Sequence, residues 1–308
     1  MPINTQDALC IKTYLSEKKQ IVDNHLKKLF LKDNNYLKPA RLWDAIRYSV
    51  LEGGKRIRAI LCIASYESLK NDSASFEDCL TVASCIELIH AMSLIHDDLP
   101  LMDNDDLRRG KPSCHKAFGE TTALLAGDAM ISLPFHIIIE NCPNITSHTK
   151  LQILDELSKT LSFGLVPGQI MDLEGTGKSC DLKTIEEICK LKTAQLIKSS
   201  VLLGAWTALN GKNTDLIQNL SNFGIKIGIA FQILDDILDI TSDTKTLGKT
   251  SHKDEKQKKS TYPMLIGIKK SRDIAVSLIE EAKLNLQNIK LNSDALLQIA
   301  DYMMDRKN

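Results

Sequence analysis

Two apolar stretches, each about five helical turns long, end in clusters of carboxylates. The first runs from Thr81 to Asp98 and reads TVASCIELIHAMSLIHDD. The second runs from Asn222 to Ile240 and reads NFGIKIGIAFQILDDILDI. A helix that is apolar on all sides is stable only inside a larger body. This chain must therefore bury two such helices and still place Asp97, Asp98 and Asp103 at one end and Asp235, Asp236 and Asp239 at the other. Clustered carboxylates at a buried helix end repel one another and lose hydration. A bound divalent cation relieves both penalties. One such cluster reads as a solvated acidic helix end. Two, each followed by Lys or Arg, point to cations that carry an anion.

The remaining segments share the helical period rather than an alternating one. Ile11 to Phe30 and Leu42 to Val50 are amphipathic, and a third helix opens at Lys55 and runs to about Leu69. Asn104 to Glu120 reads as a polar loop, Thr121 to Ile139 as an apolar helix and Leu151 to Leu165 as a helix that Pro167 interrupts. Thr184 to Leu209 and Tyr262 to Ile289 each read as one helix. No strand, repeat or linker stands out. The expected fold class is all-α, one domain over residues 1–308, with about ten helices in a single large bundle.

Lys+Arg and Asp+Glu balance at 39 each, so no global field draws nucleic acid or anionic lipid. Basic charge is local, at Lys55–Arg58, Arg108–Lys111 and Lys245–Lys259. The eight cysteines show no ligand spacing and read as buried thiols in a reducing compartment. The N-terminus lacks the apolar run of a signal peptide, and no uncharged window of about 18 apolar residues is evident. A cytoplasmic protein without a membrane span is expected.

Asp235 and Asp239, four residues apart, share a helix face, with Gln232 one turn earlier. Asp97 and Asp103 would lie about 240° apart on a straight helix. Pro100 breaks such a helix, and a distorted last turn can swing Asp103 back toward Asp97. Carboxylate oxygens without His or Cys favour a hard cation, Mg²⁺ before Ca²⁺. The helix start at Gly53–Arg58 favours an anion through its free N–H groups.

Taken together, these residues resemble the short-chain (E)-polyprenyl diphosphate synthase family, and the bacterial farnesyl diphosphate synthases in particular. The motifs are GGKRIRA (53–59), LIHDDLPLMDNDDLRRGKPSCH (94–115), GD (127–128), GQIMDL (168–173), KTAQLI (192–197), FQILDDILD (231–239), LGK (247–249) and KSTYP (259–263). The resemblance implies a helical isoprenoid-synthase bundle around a central cavity, and a homodimer. It implies that Asp97, Asp98 and Asp103 hold two Mg²⁺ ions, and that Asp235, with Asp236 and Asp239 near it, holds a third. Arg108, Lys192, Lys249 and Lys259 would contact the diphosphate of an allylic substrate. Lys55, Arg58, His90 and Arg109 would bind that of isopentenyl diphosphate. Thr193 and Gln232 would lie beside the reacting carbons, and Met92 and Ser93 would gate product length. Met92 stands where bacterial C15 synthases usually carry an aromatic residue. The rest of the chain resembles the C15 type, so farnesyl diphosphate is the expected product and C20 geranylgeranyl diphosphate the alternative. A terpene cyclase would not need the second basic pocket. A non-catalytic subunit of a heteromeric synthase would usually lack one of the two acidic motifs.

Overall fold

The computed structural model describes residues 10–31, 38–70, 74–211, 215–241, 260–287 and 292–304. Almost all of them are helical. In chain order the helices are α1 (Ile11–Leu31), α2 (Ala40–Leu51), α3 (Ile57–Leu69), α4 (Phe76–Asp97), α5 (Cys114–Phe118), α6 (Glu120–Asn141), α7 (Ser147–Thr160), α8 (Val166–Gly175), α9 (Leu182–Ile188), α10 (Gln195–Leu209), α11 (Asp215–Thr241), α12 (Tyr262–Ile266), α13 (Ile268–Gln287) and α14 (Asp294–Met304). The only strands among the described residues are β1 (Leu107–Arg108) and β2 (Lys111–Pro112), an antiparallel pair inside the stretch read as loop.

α4 runs through the centre, buried on nearly every side from Asp78 to Ile95. Its start is fixed by Ser75, whose hydroxyl accepts from the Asp78 N–H at 3.2 Å. Around it lies one apolar core, with residues from α1, α2, α3, α6 and α7. A second core gathers α10, α11, α13 and α14 against the other face of α3. The two acidic stretches thus belong to α4 and α11, one in each core.

Two boundaries differ from the sequence expectation. Pro167 does not interrupt its helix. A π turn at Leu161–Leu165, closed by Val166 N–H on Leu161 O, precedes it and joins α7 to α8 without a break. The wider turn absorbs the donor that proline lacks. A second π turn at Cys189–Ala194 joins α9 to α10. The expected helix from Tyr262 to Ile289 divides at Gly267, whose φ of +83° stops α12.

α4 and α6 are long and apolar enough, by length and composition, to cross a membrane. α4 is a core helix. α6 leaves Leu124, Leu125, Ile131 and Ile139 exposed.

Candidate active site

A cavity of about 960 Å³ opens between the two cores. The loop before α3, the end of α4 and its following loop, both π turns, α8 and the C-terminal half of α11 form its walls.

α4 ends at Asp97, and Pro100 sits in the tight turns beyond it. The Asp103 N–H donates to the Asp97 carbonyl at 2.8 Å, and the Asp105 N–H to that of Asp98 at 3.2 Å. The chain doubles back, so Asp97 and Asp103 both line the cavity. Burial raises the Asp97 carboxyl above its ordinary range; Lys192 and Arg108 oppose this, while Asp103 adds to it. Asp98 is buried and lines a separate small hollow with Tyr48, Glu52 and Lys111. It grips Arg108, whose Nε donates to Oδ2 at 3.1 Å and whose guanidinium also reaches Oδ1. Burial works to lower the Arg108 pKa, and the bond to Asp98 together with the negative charges of Asp98, Asp105 and Asp97 more than reverses it.

On the facing wall, Asp235, Asp236 and Asp239 all line the cavity. The Thr193 hydroxyl donates to Gln232 Oε1 at 2.7 Å, and Gln232 Nε2 donates to Asp236 Oδ1 at 2.8 Å. This relay fixes the Gln232 amide, and Thr193 does not bond back to its own turn. Asp239 is only 2% exposed, and neither carboxylate oxygen has a hydrogen-bond partner among the described residues. A buried pair of acceptors left unsatisfied calls for a ligand. Among the described residues no three His, Cys, Asp or Glu side chains stand close enough to hold a metal alone. The donors are carboxylate oxygens on two facing walls. That set fits a hard cation that completes its shell with water and phosphate oxygens.

The basic groups ring the same space. Lys192 Nζ donates to Asp172 Oδ2 at 2.6 Å. The second π turn lies against Gly168, where a Cβ would stand 2.4 Å from the Lys192 backbone nitrogen. Only glycine lets the two chains approach this closely. Lys55 is exposed at the cavity's edge, and Arg58 approaches His90 Nε2 at 3.5 Å. Burial, then Arg58 and Arg109, hold the His90 imidazole well below its usual pKa, so it stays neutral among the cations. Arg109 donates to the Gly53 carbonyl at 2.6 Å. Met92 and Ser93 line the wall, and the Ser93 hydroxyl donates to the His90 carbonyl at 2.9 Å. Lys249 and Lys259 lie outside the described residues.

The free helix start expected at Gly53–Arg58 needs a correction. The Ala59 N–H is already taken by Glu87 Oε1 at 3.2 Å, which leaves fewer open donors there for an anion. Several wall residues went unassigned from sequence: Arg56, Glu87, His96, Gln169 and Asp172. Both atoms of the Gln169 amide are buried and without a hydrogen-bond partner among the described residues. His96 packs into the space that Gly127 leaves, where a Cβ would meet its Nε2 at 2.0 Å. Asp172 follows Gly168 by four residues, one helical turn. That spacing was the available signal that it faces the same side.

The family described as "Polyprenyl synthetase" matches residues 39–295. A geranylgeranyl pyrophosphate synthase of Capsicum annuum, described as chloroplastic, is 41% identical over 307 residues, 99% of this chain and 81% of its own. A geranylgeranyl diphosphate synthase of Cyanophora paradoxa is 42% identical over 298 residues, 96% of each. Among solved structures, a Helicobacter pylori geranyltransferase complexed with magnesium and isoprenyl diphosphate superposes with a TM-score of 0.83. It is 30% identical, covering 99% of this chain and 98% of that one. With the all-α fold and both acidic clusters facing one cavity, these matches establish that the chain belongs to the polyprenyl synthetase family.

Proposed function

We propose that the protein is a geranylgeranyl diphosphate synthase, condensing isopentenyl diphosphate with allylic diphosphates until a C20 chain is reached. One observation supports this reading above the others: the two carboxylate walls and the two basic groups open on the same cavity of about 960 Å³. The sequence resemblance favoured a C15 product. The weight moves to C20 because the relatives at 41% and 42% identity are named geranylgeranyl synthases. Met92 supports it, since a thioether is slimmer than an aromatic ring and changes rotamer readily.

In this reading Asp97, Asp103, Asp235 and Asp239 hold Mg²⁺, three ions in all. The Helicobacter pylori relative carries magnesium. When bound, such ions stabilise the negative charge that grows on a departing diphosphate. Arg108 and Lys192 take the remaining charge of the allylic diphosphate, exchanging Asp98 and Asp172 for phosphate oxygens. Lys249 and Lys259 complete that set from the segment beyond α11. Lys55, Arg58, His90 and Arg109 hold isopentenyl diphosphate so that its double bond faces the allylic carbon. The C–O bond of the allylic substrate breaks with the electron pair leaving on diphosphate. The double bond then attacks the cation, and a proton is lost to the released diphosphate. The Thr193 and Gln232 dipoles lie beside the reacting carbons, and Asp236 fixes their orientation.

α6 offers a way to pair two copies. Its exposed Leu124, Leu125, Ile131 and Ile139 form an apolar face that a second chain would cover, giving a homodimer. All eight cysteines are free thiols, as suits a reducing compartment such as the cytoplasm.

The testing experiment sizes the products. Purified protein is incubated with Mg²⁺, isopentenyl diphosphate and dimethylallyl diphosphate, and the dephosphorylated alcohols are separated. Geranylgeraniol is expected. Farnesol alone would return the reading to a C15 synthase. No alcohol longer than the primer would favour a non-catalytic subunit.

A further inference from the structure

The loop that carries Lys55 to the cavity's edge is contorted. Gly53, Gly54 and Arg56 all have positive φ, at +89°, +112° and +56°. For glycine this is unstrained. For Arg56 a left-handed backbone is strained, and such residues persist only where their surroundings hold them. The Arg56 side chain, 1% exposed, is where the holding occurs. Its Nε donates to Asp23 Oδ1 at 2.8 Å and one terminal nitrogen to the Val50 carbonyl at 2.7 Å. The other lies 3.3 Å from Glu87 Oε2. Glu87 is itself buried, and its second oxygen takes the Ala59 N–H in the first turn of α3. One carboxylate thus ties the Arg56 side chain to the helix that bears Arg58. On the cavity side, Arg109 closes on the Gly53 carbonyl and packs on Gly54, where a Cβ would come within 2.9 Å of its guanidinium.

The charges follow the same logic. Lys55, Arg56, Arg58 and Arg109 gather around one short loop. Asp23 and Glu87 place two negative charges behind it, which offsets their mutual repulsion. Asp23 belongs to α1, and lies outside the residues 39–295 that match the family.

We propose that Asp23 and Glu87 are positioning residues for the isopentenyl diphosphate pocket: by gripping Arg56 they lock the left-handed turn that presents Lys55 and Arg58 to the cavity. α1 is therefore part of the binding machinery. The inference rests on the reading of Lys55, Arg58, His90 and Arg109 as that pocket.

The test uses the full chain in initial-rate assays. Each substrate is varied at saturating levels of the other, for Asp23→Asn, Asp23→Glu, Glu87→Gln and Lys55→Ala, with thermal melting of each. A displacement of about 1 Å costs on the order of 10²-fold in a positioned reaction; each amide variant removes the charge and one of the two hydrogen bonds its carboxylate accepts but keeps the other, so a smaller rise of about tenfold in the isopentenyl diphosphate KM is expected. The KM for geranyl diphosphate stays unchanged, and Asp23→Glu restores much of the lost affinity. A general loss of structure would move both constants together, and that result overturns the inference. So does a folded Asp23→Asn with an unmoved isopentenyl KM. Should Glu87→Gln fail to fold, Asp23→Asn at the more exposed end of the network decides. If Lys55→Ala leaves the isopentenyl KM unmoved, the pocket assignment itself falls, and the inference with it.

Discussion

Gly168→Ala separates the geometry of the site from the stability of the fold. The new methyl would sit 2.4 Å from the Lys192 nitrogen and 2.8 Å from its Cα, both backbone atoms that cannot swing aside. An ordinary contact begins at 3.4 Å, so α8 and the second π turn must part by about 1 Å. Lys192 and Thr193 ride on that turn. Overpacking of this kind costs about 1–3 kcal/mol, and the better helix propensity of alanine returns about 1 kcal/mol. Net destabilisation is therefore small, at most about 2 kcal/mol, or a few degrees of melting temperature. Activity responds differently, because a misplacement of about 1 Å costs on the order of 10²-fold. Gly224→Ala is the matched control. Its methyl would stand 2.6 Å from Lys198 Cα, further along the packing of α10 on α11 and away from the cavity wall. The two variants should melt alike, while only Gly168→Ala loses about two decades of kcat. Equal activities in two folded variants, measured by diphosphate release, would refute the claim that the π turn sets the position of Lys192.

Met92→Tyr places a bulky ring in the cavity wall and should shift products from C20 to C15; an unchanged product distribution removes Met92 from the gating role. Asp97→Asn should lower kcat by about 10²–10³-fold yet raise the melting temperature in chelator at neutral pH. The Asp97 carboxyl is raised in the folded state, so its contribution favours folding below the unfolded pKa of 3.8 and is lost as pH rises through the folded value. The melting advantage of Asn should therefore vanish in acid, where the carboxyl is protonated in both states; an advantage that persists there contradicts the assignment. If α6 pairs two copies as proposed, Leu125→Glu, which puts a charge on its exposed face, should convert that dimer to monomer in sedimentation; an unchanged sedimentation coefficient sinks that interface.

Much of this site was legible because its signals are chemical. Carboxylates at the ends of two all-apolar helices have few stable explanations, and Asp97, Asp103, Asp235, Asp236 and Asp239 do line one cavity, while Asp98 turns to a separate hollow. Pro100 likewise ends the helix as its position implies, and Asp103 returns to bond the Asp97 carbonyl. What stayed hidden depends on packing across sequence. Pro167 reads as a break, because nothing local announces that a π turn at Leu161–Leu165 will accommodate it. In Lys55–Arg56–Ile57–Arg58 the composition does not say which cation faces inward. Arg56 does, because Asp23, 33 residues away, and Glu87, 31 residues away, meet it there. Glu87 likewise takes the Ala59 N–H that the sequence left open for an anion. Asp98 reads as one of several like carboxylates, and only the fold pairs it with Arg108.

The most direct test of the central claim is diphosphate release from geranyl diphosphate in Mg²⁺, with and without isopentenyl diphosphate. The account predicts release only when both substrates are present, one diphosphate for each five-carbon unit added. Release without isopentenyl diphosphate would show ionisation uncoupled from condensation, as in a cyclase, and would contradict the two-pocket reading; no release under either condition would contradict the catalytic one.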